Sequence, residues 1–107
     1  MNIVLAAIDE PLAQAWERHC GDVEFVRVHR GTILNVACDA IVSPANSFGF
    51  MDGGIDLEYS RHFRWHIQDR LQEMICDHHH GELLVGAAEI VATDDEKIPY
   101  VHALCVG

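Results

Sequence analysis

Positive charge is what this sequence has least of. Seven Lys and Arg stand against 17 Asp and Glu in 107 residues, a formal charge of −10. A surface this acidic repels a phosphate backbone, which argues against nucleic acid as a partner. It also limits how an anionic ligand is held: backbone N–H groups, not cationic side chains, would have to meet a diphosphate. No apolar run approaches the ~20 residues of a membrane span, and no basic segment precedes the apolar start, residues 1–8. That stretch therefore reads as a first strand and not as a signal peptide; a cytoplasmic location and no membrane partner are expected. Cys20, Cys38, Cys76 and Cys105 form no C-x-x-C pair and sit in apolar contexts, so buried reduced thiols are favoured over disulfides. Internal repeats, low-complexity tracts and linkers are also missing. With 50% hydrophobic and 22% charged residues, 1–107 has the composition of a single globular domain.

Hydrophobic periodicity gives the order β-α-β-β-α-β-β. Residues 2–8 read as a buried strand. Asp9-Glu10-Pro11 opens a helix, because acids favour the first turn and Pro tolerates the first helical position. Leu12, Ala15, Trp16 and His19 follow at helical spacing, and Gly21 is the stop. Further strands are expected over 23–28, 38–43, 86–92 and 99–105, with Asp94-Asp95-Glu96 as a polar turn before the last. From Asp56 a helical region runs to about His79, with a break near Arg64. Phe63, Ile67, Leu71 and Met74 or Ile75 make its apolar face, and Gly81 ends it. The order implies an α/β fold with a mixed sheet of about five strands and helices on both faces.

Residues 39–56, DAIVSPANSFGFMDGGID, are the most informative stretch. A short apolar run, Ala40 to Val42, ends at Ser43-Pro44, the pattern of a buried strand with a loop at its carboxyl end. Ligands of open α/β sheets sit at such ends. The loop carries an amide (Asn46), glycines (Gly49, Gly53, Gly54) and two carboxylates (Asp52, Asp56), and a helix follows. Glycines let backbone N–H groups close on an anion, and a helix N-terminus adds a favourable dipole. The Asn46 amide donates and accepts at once, which suits vicinal hydroxyls or, equally, an Asx-type turn after Pro44. Asp56 can activate a water or cap the following helix. Gly53 and Gly54 either admit a ligand to the backbone or make a tight turn.

This stretch resembles the first binding loop of the macro domain family, the ADP-ribose-binding modules. The family pattern is roughly Asp-Ala-Ile-Val-Asn-Ala-Ala-Asn, then a glycine cluster, an aliphatic residue and Asp. The likeness extends loosely from about Gly31 to His102. It implies a macro-domain-like three-layer α/β/α fold and, as partner, an ADP-ribose-type small molecule or an ADP-ribosylated protein, with no cofactor and no metal. It also implies that Asn46 contacts the distal ribose and that Asp56 orients an attacking water. Ala45, Asn46, Gly49, Asp52, Gly53, Gly54 and Ile55 would line the ligand. Thr32, in Gly31-Thr32-Ile33-Leu34, stands where the family has an adenine-contacting Asp, and it lacks the carboxylate. Asp52 replaces the first glycine of the usual triplet, which puts an acid beside the anion site. Ser43-Pro44 replaces Asn-Ala and stiffens the start of the loop. Ser60 stands where some hydrolytic members carry a His, with His62 two residues on. After the strand at 99–105 the family continues with a helix, another core strand and a second glycine-rich loop, which this sequence lacks. Val101, Leu104 and Val106 are then expected to be short of cover, and the last strand to pair with, or exchange into, a second copy as a homo-oligomer.

Asp77-His78-His79-His80 offers imidazoles, common ligands of divalent metals. Consecutive histidines at a helix end do not all converge on one ion, and contacts with the last helical carbonyls or solvent are expected instead. His102 is expected near the floor of the site. Phe48 and Phe50 would stack on ribose or adenine, or pack in the core or at the rim. Three functions fit: an ADP-ribose-binding domain that hydrolyses ADP-ribosyl linkages; a module that binds ADP-ribose without cleaving it; and a structural protein on a macro-like scaffold with a degenerate site. The Ser-Pro-Ala-Asn-Ser-Phe-Gly variant resembles the phage-tail-associated branch, which favours keeping the third.

Overall fold

In the computed structural model, which describes residues 1–107, contacts divide the chain into Met1–Val36 and Ala37–Gly107. The first unit is a β-α-β crossover: β1 (Ile3–Ala7), α1 (Glu10–Cys20) and β2 (Val26–Arg30), followed by a 3₁₀ turn, η1 (Ile33–Asn35). β1 and β2 run parallel, from Ile3 opposite Val26 to Ala7 opposite Arg30. Pro11 lies in the first turn of α1 as expected. The buried contact of α1 is Ala13, however, while Leu12 is 41% exposed and His19 faces solvent, so the stripe through Leu12 and His19 is not the inner one. Arg30 holds Glu10 (Nε–Oε2 2.9 Å) and Glu17 of α1 together, and its hydrogen bonds keep both carboxyl groups below their usual range. β2 starts later than expected because Val23 N–H and Val26 N–H first close turns on Cys20 O and Val23 O, each at 3.0 Å.

The second unit contains β3 (Ala40–Ala45), α2 (Gly54–Phe63), α3 (His66–His79), β4 (Ala88–Ala92) and β5 (Tyr100–Cys105). Its strand order is β3-β5-β4, with β3 parallel and β4 antiparallel to β5. The chain is thus α/β with five strands, but in two sheets and not in one. The pairing follows the alternation of β3 and β5, which match in phase. Ile41, Ser43 and Ala45 lie beside Val101, Ala103 and Cys105, all buried. Phe63, Ile67, Leu71 and Ile75 form the inner stripe of the helical region, with Ile75 and not Met74 as its last member. Each such side chain, fully buried, contributes roughly 1.5–3 kcal/mol.

Two expectations change here. β5 is the central strand and not an unpaired edge, so Val101 is 1% exposed; only Leu104 (38%) and Val106 (61%) stay open. Within this unit α2 packs against β3 and α3 against β4. All four cysteines are free, but only Cys105 is buried and Cys76 is exposed. No helix is long and apolar enough to cross a membrane.

β3 runs on through Pro44 to Ala45, past the expected end. Ala45 C=O accepts from Val106 N–H (3.0 Å), so Pro44, one residue away, turns its missing donor to the free edge, where a strand tolerates proline. The break between α2 and α3 falls at Arg64, with φ 78° and ψ 164°, a region that glycine alone adopts readily. α3 closes through His80 in the left-handed region, and Gly81 N–H reaches back to Ile75 O at 3.0 Å.

Candidate functional site

The loop from β3 to α2 is built from its own amide outwards. Asn46 Oδ1 accepts from the N–H groups of Phe48 and Phe50, both at 3.1 Å, and its Nδ2 donates to Phe50 O at 2.8 Å. Both acceptor lone pairs of Asn46 are therefore engaged in closing the loop, and one Nδ2 hydrogen remains for a ligand. Side chains from the helices then fasten the loop. Gln68 accepts from Met51 N–H (2.7 Å), Ser60 donates to Met51 O (2.6 Å) and Gln72 donates to Phe48 O (3.3 Å). Gln68 and Gln72 were not singled out in the sequence, and Ser60 was noted only as standing at the position of a histidine. The available signal was their position: Gln68 and Gln72 flank the buried Ile67 and Leu71 on α3, where a polar residue needs a partner.

Gly49 serves packing. Its φ is +72°, its N–H is given to Asn46 O (3.3 Å), and an added Cβ would stand 2.9 Å from Ile75 Cδ1. It is required by close approach to α3 and has no free donor for a diphosphate. Gly53 and Gly54 differ: a Cβ on either would meet nothing within 4 Å. Gly53 is extended (φ −144°) and stands just before α2, and Gly54 (φ +57°) begins it. The first helical bond is Leu57 N–H to Gly53 O at 3.2 Å, and no side chain caps the helix. The N–H groups of Gly53, Gly54, Ile55 and Asp56 thus have no intramolecular acceptor, as at any uncapped helix start. Ile55, Phe48 and Phe50 are 39%, 56% and 50% exposed, so these two rings sit at the surface and not in the core. Asp52 is exposed as well.

Asp56 is not a helix cap. It lies inside the first turn of α2, 5% exposed, and its Oδ1 accepts from the Ser43 hydroxyl at 2.6 Å. Burial raises its carboxyl pKa, and the Ser43 hydrogen bond opposes that rise. Tyr59, one turn on, donates to Val42 O at 3.0 Å and has its phenol pushed up to about 12, first by burial and then by the Asp56 charge. Ser43, Asp56, Tyr59 and Ser60 form a buried polar seam between β3 and α2, with every buried side-chain polar atom partnered.

The remaining candidates fall elsewhere. Thr32, in the first unit, caps η1 by accepting from Leu34 N–H at 3.3 Å. His102 lies on the exposed face of β5 and not beneath the loop. His78 Nδ1 and His79 Nε2 both meet Glu89 Oε1 of β4, at 3.0 and 2.9 Å, and not the last helical carbonyls, while His78 and His80 are exposed to solvent as the other alternative had it. Hydrogen bonding from His78 in particular holds the Glu89 carboxyl below its usual range. No group of three or more His, Cys, Asp or Glu side chains is arranged to hold a metal ion. An open cavity of about 330 Å³ lies at the α2–α3 break, lined by His62, Arg64, His66, Asp94 and Asp95. Its carboxylates already serve the fold: Asp94 pairs with Arg70 (2.7 Å), and Asp95 accepts from Lys97 N–H (2.8 Å) and Ile98 N–H (3.0 Å).

A scan against models of known protein families gives no match for this chain, and a search of the curated proteins gives none either.

Proposed function

We propose that the second unit is the ligand-binding part of a macro-type domain, and that its loop from Asn46 to Asp56 takes ADP-ribose or a derivative. The observation that carries this reading is the run of unpartnered N–H groups at Gly53, Gly54, Ile55 and Asp56, open on the side where a Cβ would find free space. On a chain of charge −10, backbone donors at a helix N-terminus are the means left for holding a diphosphate. Asn46 would act mainly by holding the loop rigid, offering the ribose a single hydrogen. In the three-layer arrangement of that family, β3–β5–β4 would be the central layer and α2 with α3 one outer layer.

Calorimetry with ADP-ribose tests the reading. Binding by the wild type that falls about tenfold or more in Gly53→Ala, a loss of ~1.4 kcal/mol or more, with an unchanged melting temperature, supports it. No heat of binding to the folded wild type would leave the structural reading in its place.

Hydrolysis is a second reading, favoured by one observation. Asp56 is a buried carboxylate with a raised pKa and one oxygen committed to Ser43, a suitable base for a water held at its other oxygen. The test is turnover of a mono-ADP-ribosylated protein, abolished in Asp56→Asn while ADP-ribose affinity stays.

A further inference from the structure

Asp52 is followed by Gly53, and no other Asp or Asn in the chain precedes a glycine. Both residues are exposed. The chain is fastened on either side of them. Met51 N–H is held by Gln68 at 2.7 Å and Met51 C=O by Ser60 at 2.6 Å, while Gly53 C=O accepts from Leu57 N–H at 3.2 Å. Between these anchors, the N–H, C=O and carboxylate of Asp52 and the N–H of Gly53 make no intramolecular hydrogen bond. We infer that Asp52-Gly53 is a modification site, where the chain rearranges without an enzyme to an isoaspartyl linkage by way of a succinimide.

The Asp52 carboxylate first takes a proton from solvent. Gly53 N then attacks Asp52 Cγ, and the N–C bond forms as a Cγ–O bond breaks. The departing hydroxyl leaves with the amide proton as water, which closes the imide ring. Water next opens that ring at either carbonyl carbon. Attack at Cγ restores aspartate. Attack at the former Asp52 backbone carbonyl leaves the main chain running through Cβ and Cγ, with the α-carboxylate as the side group. No oxidant, reductant or other reactant enters, and the product has the mass of the starting chain.

Three features select this peptide. Glycine has no Cβ to obstruct the approach of its nitrogen to the preceding side chain. No backbone hydrogen bond has to break for the reaction, unlike at an amide within a helix or a sheet ladder. Gly53 stands at the start of α2, whose positive end favours the charge its nitrogen acquires as the proton leaves. Asn46-Ser47, in the same loop, is the contrast. Asn46 Oδ1 accepts from Phe48 and Phe50 N–H and its Nδ2 donates to Phe50 O, so turning this amide onto Ser47 N would break three hydrogen bonds. The modification does not depend on the ligand reading above. Its consequence does: the added main-chain methylene and the moved carboxylate fall at the N–H groups of Gly53 to Asp56, and an aged chain would lose the anion site.

Prolonged incubation of the folded wild-type chain in warm, mildly acidic buffer, followed by proteolysis and mass spectrometry, tests this. The peptide containing Asp52 and Gly53 should divide into two chromatographic forms of equal mass, and electron-transfer fragmentation should place the isoaspartyl linkage at residue 52. A carboxyl methyltransferase specific for isoaspartate, supplied with labelled S-adenosylmethionine, should methylate the aged chain and not the fresh one. Gly53→Ala should slow conversion about tenfold or more, because its Cβ obstructs the attacking nitrogen. Asp52→Glu, which would have to close a larger ring, should abolish it. Ammonia loss at Asn46 and conversion at the other aspartates should each run about tenfold or more below the rate at Asp52. Conversion at residue 52 in the denaturant-unfolded chain but not in the folded one overturns the inference. Conversion as fast at Asn46 or another aspartate, or unchanged by Gly53→Ala, overturns it too.

Discussion

Ser43 donates its hydroxyl to Asp56 at 2.6 Å, joining β3 to the first turn of α2 through two side chains that are 0% and 5% exposed. The pair places a carboxylate where the glycine loop ends and keeps it from solvent. Burial disfavours the charged form, so the folded chain binds a proton at Asp56 more readily than the unfolded chain does.

The sign of the resulting pH dependence follows from linkage. Above its folded pKa, Asp56 is charged and buried, and lowers stability. Below the ordinary carboxylate value of 3.8 it is protonated in both states and the penalty is gone. Asp56→Asn keeps an acceptor for Ser43 and removes the charge. The variant should melt higher than wild type near neutral pH, and the gap should close as pH falls through the folded pKa. Ser43→Ala should cost about 1.5–3 kcal/mol near neutral pH, the worth of a hydrogen bond to a charged group, and move the Asp56 titration upward. Denaturant unfolding and a carbon-detected titration of Asp56 measure the two effects.

Asn46→Ala removes the acceptor that two backbone N–H groups share. A loss of about 0.5–1.5 kcal/mol per hydrogen bond is expected, the net worth of an ordinary one, because Phe48 and Phe50 are exposed and water can replace the acceptor. Because the amide shapes the loop, ADP-ribose affinity and any turnover should fall together. Turnover lost with affinity intact would instead give Asn46 a direct part in the transition state.

Gly49→Ala would push a methyl to 2.9 Å from Ile75 Cδ1 at a φ of +72°. Destabilisation of about 1–3 kcal/mol is expected from overpacking and backbone strain. Equilibrium unfolding checks it, with Gly53→Ala as the contrasting variant that leaves stability within ~0.5 kcal/mol.

Arg64 holds φ at 78° between α2 and α3. Arg64→Gly should raise stability by about 1 kcal/mol, since glycine adopts this region without a Cβ clash. A lower melting temperature would mean that the Arg64 side chain contributes more than its backbone strain removes.

Local patterns carried most of the elements. The alternation of β3 and β5, and the stripe Phe63, Ile67, Leu71 and Ile75, appear in the structure as the spacing implies, and even the break at Arg64 falls where the stripe pauses. Partner choice was not legible. Alternation says which side of a strand is buried but not which strand lies beside it, so β5 was expected at an edge and stands at the centre. Asp56 was misplaced for a related reason. An acid near a helix start looks like a cap, and its position inside the first turn depends on where Gly53 ends the loop and on Ser43, distant in sequence. Glycine gives only the need for space. At Gly49 that space belongs to Ile75, and at Gly53 it is open.

An amide-resolved nuclear magnetic resonance titration of the wild-type chain with ADP-ribose bears most directly on the loop as a ligand site. The expected result is saturable shifts largest at Gly53, Gly54, Ile55 and Asp56, whose N–H groups lack an internal acceptor, with a smaller response at Gly49, whose N–H already meets Asn46 O. Shifts confined to α3, or none at any ADP-ribose concentration, would contradict it.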